Sequence, residues 1–283
     1  MGMKNLQGRT AVVTGAASGI GRELARALAR EGCIVLLADI NEAGLEQTLE
    51  LVKQAGGSGE TFVCDVSRLD DVTKMADHCC KTWGRVDLLV NNAGVASTGF
   101  VGDIPIQDWE WIVSINFWGV VYGCHAFVPG MKRQGSGHIV NVASAAGILS
   151  SPEMAPYNAT KAAVISISET LKGELAPYNI GVTVLCPTYV KTDLLERMRF
   201  TDEFQRKCST TGMANARWSP DRIARLVVDA VKKNRMYLVP QPAAKIFWYS
   251  KRISPCAFHG FFAFIMRMGW GRKVMYWLCR LGF

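Results

Sequence analysis

This 283-residue chain has no acidic residue beyond Asp229. Ten basic residues follow that position (Lys232, Lys233, Arg235, Lys245, Lys251, Arg252, Arg267, Arg272, Lys273 and Arg280), which leaves 22 of the 32 Lys and Arg to balance all 24 Asp and Glu. The body is therefore near neutral, at about −2, and the overall charge of +8 belongs to the tail. The nine cysteines are scattered, odd in number and without a C-x-x-C pair. That spacing excludes a disulfide framework and a zinc site, so no metal is expected, and the simplest compartment is a reducing, cytoplasmic one. The opening "MGMKNLQGRTAVVTG" has no apolar segment behind Lys4, so a cleaved leader is not expected. Gly2 lacks the Ser or Thr that myristoylation needs. Long hydrophobic runs are missing too: the tail's apolar stretch from Pro255 to Met266 reaches about half of the roughly 20 residues of a spanning helix, and Arg267 closes it.

What the chain does have is a 49% apolar content, enough for a substantial core. Seven apolar, β-branched runs alternate with helical patterns up to about position 240: "TAVVTG", "CIVLLAD", "ETFVCD", "VDLLVNN", "GHIVNVAS", "GVTVLCP" and "RMYLVP". Short continuous runs of this kind suit parallel strands covered on both faces, and each interval has room for a crossover helix. The pattern predicts one doubly wound α/β domain over residues 1–242 and a cationic, aromatic tail over 243–283. No repeat or Gly/Ser linker marks a second domain.

The first run leads into "TGAASGIG" and then a helical pattern. Gly15, Gly19 and Gly21 permit a tight turn, a close backbone approach to a pyrophosphate and close helix packing, while the helix N-terminus offers free N–H groups to phosphate. Asp39 ends the second run, 18 residues after Gly21, where an acidic side chain bonds the adenosine ribose hydroxyls. A carboxylate there repels the additional phosphate of NADP, and "ADINEAG" holds no Arg or Lys to offset it, so NAD is expected over NADP.

The stretch "YNATK" at 157–161 supports two readings. Asn158-Ala159-Thr160 is a glycosylation acceptor, whereas Tyr157 and Lys161 stand one helical turn apart, as a proton-transfer pair would.

Taken together, "TGAASGIG", "CDV" (64–66), "NNAG" (91–94), "INFWG" (115–119), Ser144 and "YNATK" make roughly residues 6–240 resemble the short-chain dehydrogenase/reductase family. The resemblance implies a Rossmann-like, doubly wound, seven-stranded parallel sheet with helices on both faces. It also implies NAD(P)-dependent hydride transfer between a nicotinamide and a secondary alcohol or ketone. Tyr157 becomes the general acid/base and Lys161 its electrostatic partner, holding the nicotinamide ribose as well. A tyrosine unaided has a pKa near 10, and a neighbouring ammonium favours its phenolate. Ser144 would bond the substrate oxygen and Asn116 would anchor a relay water. Asp65 and Val66 would flank the adenine, Asn92 would touch the adenosine-side ribose, and Val190 and Thr192 would engage the carboxamide. Ser18, Ile20, Ala93, Gly94 and Pro187 complete the cofactor-binding set. In this light the sequon is a chance one, with Asn158 and Thr160 as spacers. One departure stands out: the family commonly has Pro-Gly after strand six, and this chain has Pro187-Thr188.

The substrate pocket is expected among 145–151, 152–156, 96–100 and a lid from Asp193 to about Ala216, with Ile148, Leu149, Met154 and Leu194 or Leu195 as its lining. Arg197 and Arg199 are the lid cations able to reach inward. A lipophilic alcohol or ketone of steroid, retinoid or fatty type follows. An alternative is an NAD-binding sensor or scaffold without turnover. Homodimers or homotetramers are expected from this fold. The tail's interleaved aromatics and cations suit either a peripheral contact with an anionic membrane surface or the cover of a core or subunit interface; no nucleic-acid module accompanies the charge.

Overall fold

A computed structural model describes residues 3–282. The first half alternates regularly: β1 (Thr10–Thr14), α1 (Gly19–Arg30), β2 (Ile34–Asp39), α2 (Glu42–Gln54), β3 (Ser58–Val63), α3 (Leu69–Trp83) and β4 (Leu88–Asn91). There follow a short β5 (Ser97–Thr98), α4 (Ile106–Val113), α5 (Gly119–Gln134), β6 (Gly137–Val142), α6 (Ala145–Leu149), α7 (Ala155–Glu174) and β7 (Ile180–Leu185). Then come β8 (Arg199–Phe200), α8 (Glu203–Ala214), α9 (Pro220–Lys232), β9 (Tyr237–Leu238), α10 (Pro242–Ile253), α11 (Pro255–Arg267) and α12 (Gly271–Arg280).

Seven strands pair in parallel in the order β3-β2-β1-β4-β6-β7-β9. All seven coincide with the apolar runs of the sequence. The runs are continuous because both sheet faces are covered. Neighbours along a strand point to opposite faces, and the two cores divide accordingly. Val13 and Leu37 pack with Leu24 and Leu28 of α1 and Val227 of α9 on one side. Val12 and Leu36 pack with Met75 of α3, Phe127 of α5 and Val164 of α7 on the other. Strand order reverses between β1 and β4, so a crevice opens at the carboxyl ends of these strands, the usual ligand position in a doubly wound sheet.

Two features were not legible as strands or helices. β5 and β8 form a small parallel pair, with Ser97 against Arg199 and Thr98 against Phe200, and this ties the lid to the end of the β4 loop. Between α4 and α5 the helix continues through a π-helical turn, Ser114–Trp118, with Asn116 fully buried inside it.

Residues 243–282, set apart in the sequence by charge, fold back onto the body. Phe247 and Trp248 of α10 and Phe258 of α11 pack on the second core, and Trp248 meets Tyr237 at 4.9 Å between ring centroids. Lys251 donates to the Ile148 carbonyl at 2.6 Å, which fixes α10 against α6. α12 lies along α8 of the lid.

Candidate active site

The Gly-rich turn is shaped by close approaches. Gly15 has φ +65°, and a Cβ there would lie 2.8 Å from the Ala93 Cα. A Cβ on Gly21 would lie 2.0 Å from the Gly15 carbonyl oxygen, so α1 can begin this close to the turn only without a side chain. Ser18 precedes α1 without capping it, which leaves the first-turn N–H groups open toward the crevice. Asn92 closes the turn from the β4 side, donating to the Thr14 carbonyl at 2.8 Å and the Gly15 carbonyl at 3.1 Å. The Thr14 hydroxyl in turn accepts from the N–H groups of Asn92 and Ala93.

Asp39 is buried at the end of β2 and accepts from the N–H groups of Ala17 (3.2 Å) and Asn41 (3.0 Å). The lid brings Arg197 to 3.9 Å from its carboxylate. The sequence neighbourhood of Asp39 holds no cation, but the folded neighbourhood does. Asp65 accepts from the Ser67 N–H and hydroxyl at 2.9 and 2.7 Å.

Ser144 caps α6, accepting from the Ala146 N–H at 3.2 Å, and donates to the Pro187 carbonyl at 3.3 Å. The cap therefore holds the hydroxyl at the mouth of the crevice. Pro156 starts α7, and Tyr157 and Lys161 share one face of it. The Lys161 ammonium donates to the Val142 carbonyl at 2.9 Å and lies 5.8 Å from the Tyr157 ring centroid. Burial pushes the Lys161 pKa down to about 8. Burial likewise raises that of Tyr157, opposed by the Ser144 hydroxyl. Cys186, buried beside Lys161, has its thiol pushed up to about 12 by burial and stays neutral.

Asn116 is fixed by bonds of its own side chain. Its side chain is taken up by the Val95 backbone, accepting from N–H at 2.8 Å and donating to the carbonyl at 2.9 Å, and by the Thr160 hydroxyl at 3.3 Å. These partners pin the π turn to α7 and to the β4 loop. Thr160 is thus more than a spacer, and so is Asn158, which is buried and donates to the Ser151 carbonyl at 2.7 Å. A buried, bonded Asn cannot serve as a glycosylation acceptor.

One cavity of about 500 Å³ joins these parts. Gly15, Ser18, Gly19, Ile20, Asp39, Asp65, Val66, Asn92, Ala93 and Gly94 line one end; Ser144, Tyr157, Lys161, Pro187, Val190 and Thr192 line the middle. Of the expected site residues, Gly21 and Asn116 stand behind the wall. The other end is apolar. Leu149, Met154 and Leu194 contribute as expected, whereas Ile148 and Leu195 do not line it. Neither lid arginine serves that end: Arg197 goes to Asp39, and Arg199 bonds Asp108 at 2.6 Å and stacks on Trp111 at 3.9 Å.

Met213 lines the cavity from within the expected lid, whereas sequence reasoning missed Trp111, Tyr189, Met275, Leu278 and Cys279, all of which line it too. Three of these come from α12. Their spacing at 275, 278 and 279 is an apolar stripe at helical period, the signal that would have found them. The crevice fits a dinucleotide on these grounds: a turn with no room for a Cβ, an uncapped helix N-terminus facing it and a buried carboxylate one strand away.

A family profile described as short chain dehydrogenase matches residues 9–203. The chain is 34% identical to the oxidoreductase SadH of Mycobacterium tuberculosis over 254 residues, which is 86% of this chain and 90% of that protein. It is 35% identical to the probable oxidoreductase EphD of the same organism over 87% of this chain, but spans only 43% of that longer relative. A 3-oxoacyl-acyl-carrier-protein reductase, FabG of Thermotoga maritima, is 30% identical over 83% of this chain and 95% of its own length. Among solved structures, a short-chain dehydrogenase/reductase from Burkholderia phymatum in complex with NAD superposes with a TM-score of 0.83 at 34% identity, covering 87% of this chain and 94% of its own.

Proposed function

The chain belongs to the short-chain dehydrogenase/reductase family of oxidoreductases, and from that premise we propose that it transfers a hydride between NAD and a lipophilic secondary alcohol or ketone. The supporting observation is the single cavity in which Tyr157, Ser144 and Lys161 stand between a dinucleotide crevice and an apolar end. A bound nicotinamide supplies the hydride for reduction or takes it up in oxidation.

The remaining work falls to side chains of this protein. Tyr157 gives a proton to the carbonyl oxygen in reduction and takes it from the hydroxyl in oxidation. Burial keeps its phenol protonated at neutral pH, the form from which reduction starts. The Ser144 hydroxyl, placed by its cap and beside the phenol, bonds the same substrate oxygen. Lys161 holds a positive charge below pH 8 within 5.8 Å of the ring, which favours the phenolate whenever the proton leaves. Asn116 acts at one remove, fixing the helix turn behind Thr160 and Lys161.

NAD rather than NADP is supported by the buried Asp39 carboxylate, whose oxygens face the crevice and would meet an additional ribose phosphate. A lipophilic substrate is supported by Trp111, Leu149, Met154, Met213, Met275 and Leu278 around the far end, and by the engagement of both lid arginines elsewhere. The FabG relative, by its name, reduces the 3-oxo group of an acyl chain, which supports fatty-type ketones among the candidates.

The test is an NAD(H)-linked screen of long-chain, steroid and retinoid alcohols and ketones beside small polyols, with Tyr157→Phe as control. Turnover of the lipophilic set, reduced by roughly two to four orders of magnitude in the variant, is expected. Turnover confined to polyols rejects the substrate class. Undiminished turnover in Tyr157→Phe rejects the mechanism. NAD binding with no turnover in any class favours the sensor reading.

A further inference from the structure

Helix α11 is an unusual surface helix. Thirteen residues long, it carries one charged side chain, Arg267 at its end, and buries one residue, Ile265. Phe261 is 58% exposed and Phe264 55%, and on the neighbouring turn and helix Trp270 is 51% and Trp277 57% exposed. An isolated exposed aromatic is ordinary, but four of them on two packed helices and the turn between them make a patch that water solvates poorly.

The two faces of α12 have different duties. Met275, Leu278 and Cys279 line the cavity on one side. Lys273, Trp277 and Arg280, at a spacing of four and three residues, are exposed on the opposite side. The tail's aromatics divide in the same way, with Phe247, Trp248 and Phe258 packed inward and the four above turned out.

Arg267, Lys273 and Arg280 form no ion pair among the described residues, and residues 243–283 include no Asp or Glu. Some surface cations of the body do have carboxylate partners, as Arg225 has Asp221 and Lys233 has Asp229.

We propose that the outer face of α11 and α12 docks on an anionic lipid bilayer, with Phe261, Phe264, Trp270 and Trp277 entering the interface and the three cations meeting lipid phosphates. Charge selects the bilayer over a second copy of the chain. A twofold contact would set each patch against itself and so bring the same unpaired cations together with nothing to neutralise them. An anionic headgroup layer supplies both partners at once, an apolar phase for the rings and negative charge for their rim. α12 then stands between lipid on its outside and the cavity on its inside.

The experiment is flotation of the full chain with vesicles of phosphatidylcholine alone and of phosphatidylcholine with phosphatidylglycerol, repeated with two double variants. These are Phe261→Ser with Phe264→Ser, and Lys273→Glu with Arg280→Glu; all four positions are exposed, and circular dichroism checks the fold. The expected result is flotation with the anionic vesicles, weakened by about 0.5 M salt, and a fall of roughly tenfold in partitioning for each variant. Failure of the native chain to float, or equal flotation on neutral vesicles, overturns the proposal. So does a native oligomer that the Phe261→Ser, Phe264→Ser variant converts to monomer, because the patch is then a subunit contact. Flotation reads docking alone, so failure of the lipophilic-substrate reading leaves this result standing.

Discussion

Arg272 of α12 grips the carboxylate of Glu153, whose side chain is only 1% exposed, through Nε at 3.1 Å and Nη2 at 3.0 Å. Glu153 stands in the left-handed region at φ 61°, one residue before Met154 of the cavity wall. Gln205 of the lid donates to the same carboxylate at 2.9 Å, Arg272 also pairs with Asp202 at the start of α8, and the Glu153 carbonyl accepts from Gly99 at 2.7 Å. One carboxylate thus joins the tail, the lid and the loop that leads into the helix of Tyr157. Replacing Arg272 by Met strands it. Because Arg272 is itself 38% exposed, water replaces part of the lost contact, and a cost of about 1–3 kcal/mol is expected rather than the larger penalty of a wholly buried pair. Adding Glu153→Gln should recover part of that loss, which urea unfolding of the single and double variants measures.

Cofactor choice gives a second prediction. Asp39→Asn removes the negative charge at the ribose end while keeping an acceptor for the Ala17 or Asn41 N–H. Arg197, released from its 3.9 Å approach to the carboxylate, is then free to meet a phosphate. The ratio of kcat/KM for NAD over NADP should fall by about tenfold or more, since a like-charge contact of this kind is worth at least about 1.4 kcal/mol. An unchanged ratio would remove Asp39 from the basis of cofactor choice. In Arg197→Ala alone, the ratio should rise.

The sheet was readable because most of its strands are short apolar runs separated by helical patterns, as strands covered on both faces are. Gly15, Gly21 and Asp39 were readable because their types are dictated locally, by a turn, a helix contact and a strand end. What escaped the sequence depends on distant parts meeting. Arg197 lies 158 residues from Asp39, and nothing in either neighbourhood announces their approach. The bond from Asn116 to Val95 needs a π turn that no local pattern marks. Met275, Leu278 and Cys279 were visible as a stripe but not as a pocket wall, since no local pattern says which surface such a stripe meets.

The acid limb of stability should report His138. This ring is buried in β6, shares a hydrogen bond of 2.8 Å with the Thr183 hydroxyl, and has its pKa pushed down to about 3, chiefly by burial and further by Lys172. In the unfolded chain the ring takes up a proton below its ordinary 6.5, while in the fold it stays neutral. Its contribution is therefore present above pH 6.5 and is lost progressively as pH falls toward 3. His138→Gln, which keeps a polar partner for Thr183, should lose less melting temperature than the native chain between pH 7 and pH 5. Parallel curves would mean that the ring does not remain neutral in the fold.

Lys161 makes two opposite predictions on one pH axis. Its pKa falls from 10.5 to about 8 in the folded chain because the ammonium is buried. Between those values the unfolded chain binds a proton that the fold releases, so stability is lower at pH 8 and recovers as pH rises toward 10.5. Activity should move the other way. The charge proposed to assist Tyr157 disappears as pH rises through about 8, and kcat/KM for the cofactor in carbonyl reduction should decline there. Lys161→Met removes the titration and with it both slopes, so the difference between native and variant curves isolates this residue from Lys172 and Lys251, whose pKa values are also lowered by burial. A native stability curve that matches the variant's over this interval would show that Lys161 keeps its charge in the fold. The Val142 carbonyl would then be compensating the buried ammonium more fully than one hydrogen bond of 2.9 Å is expected to.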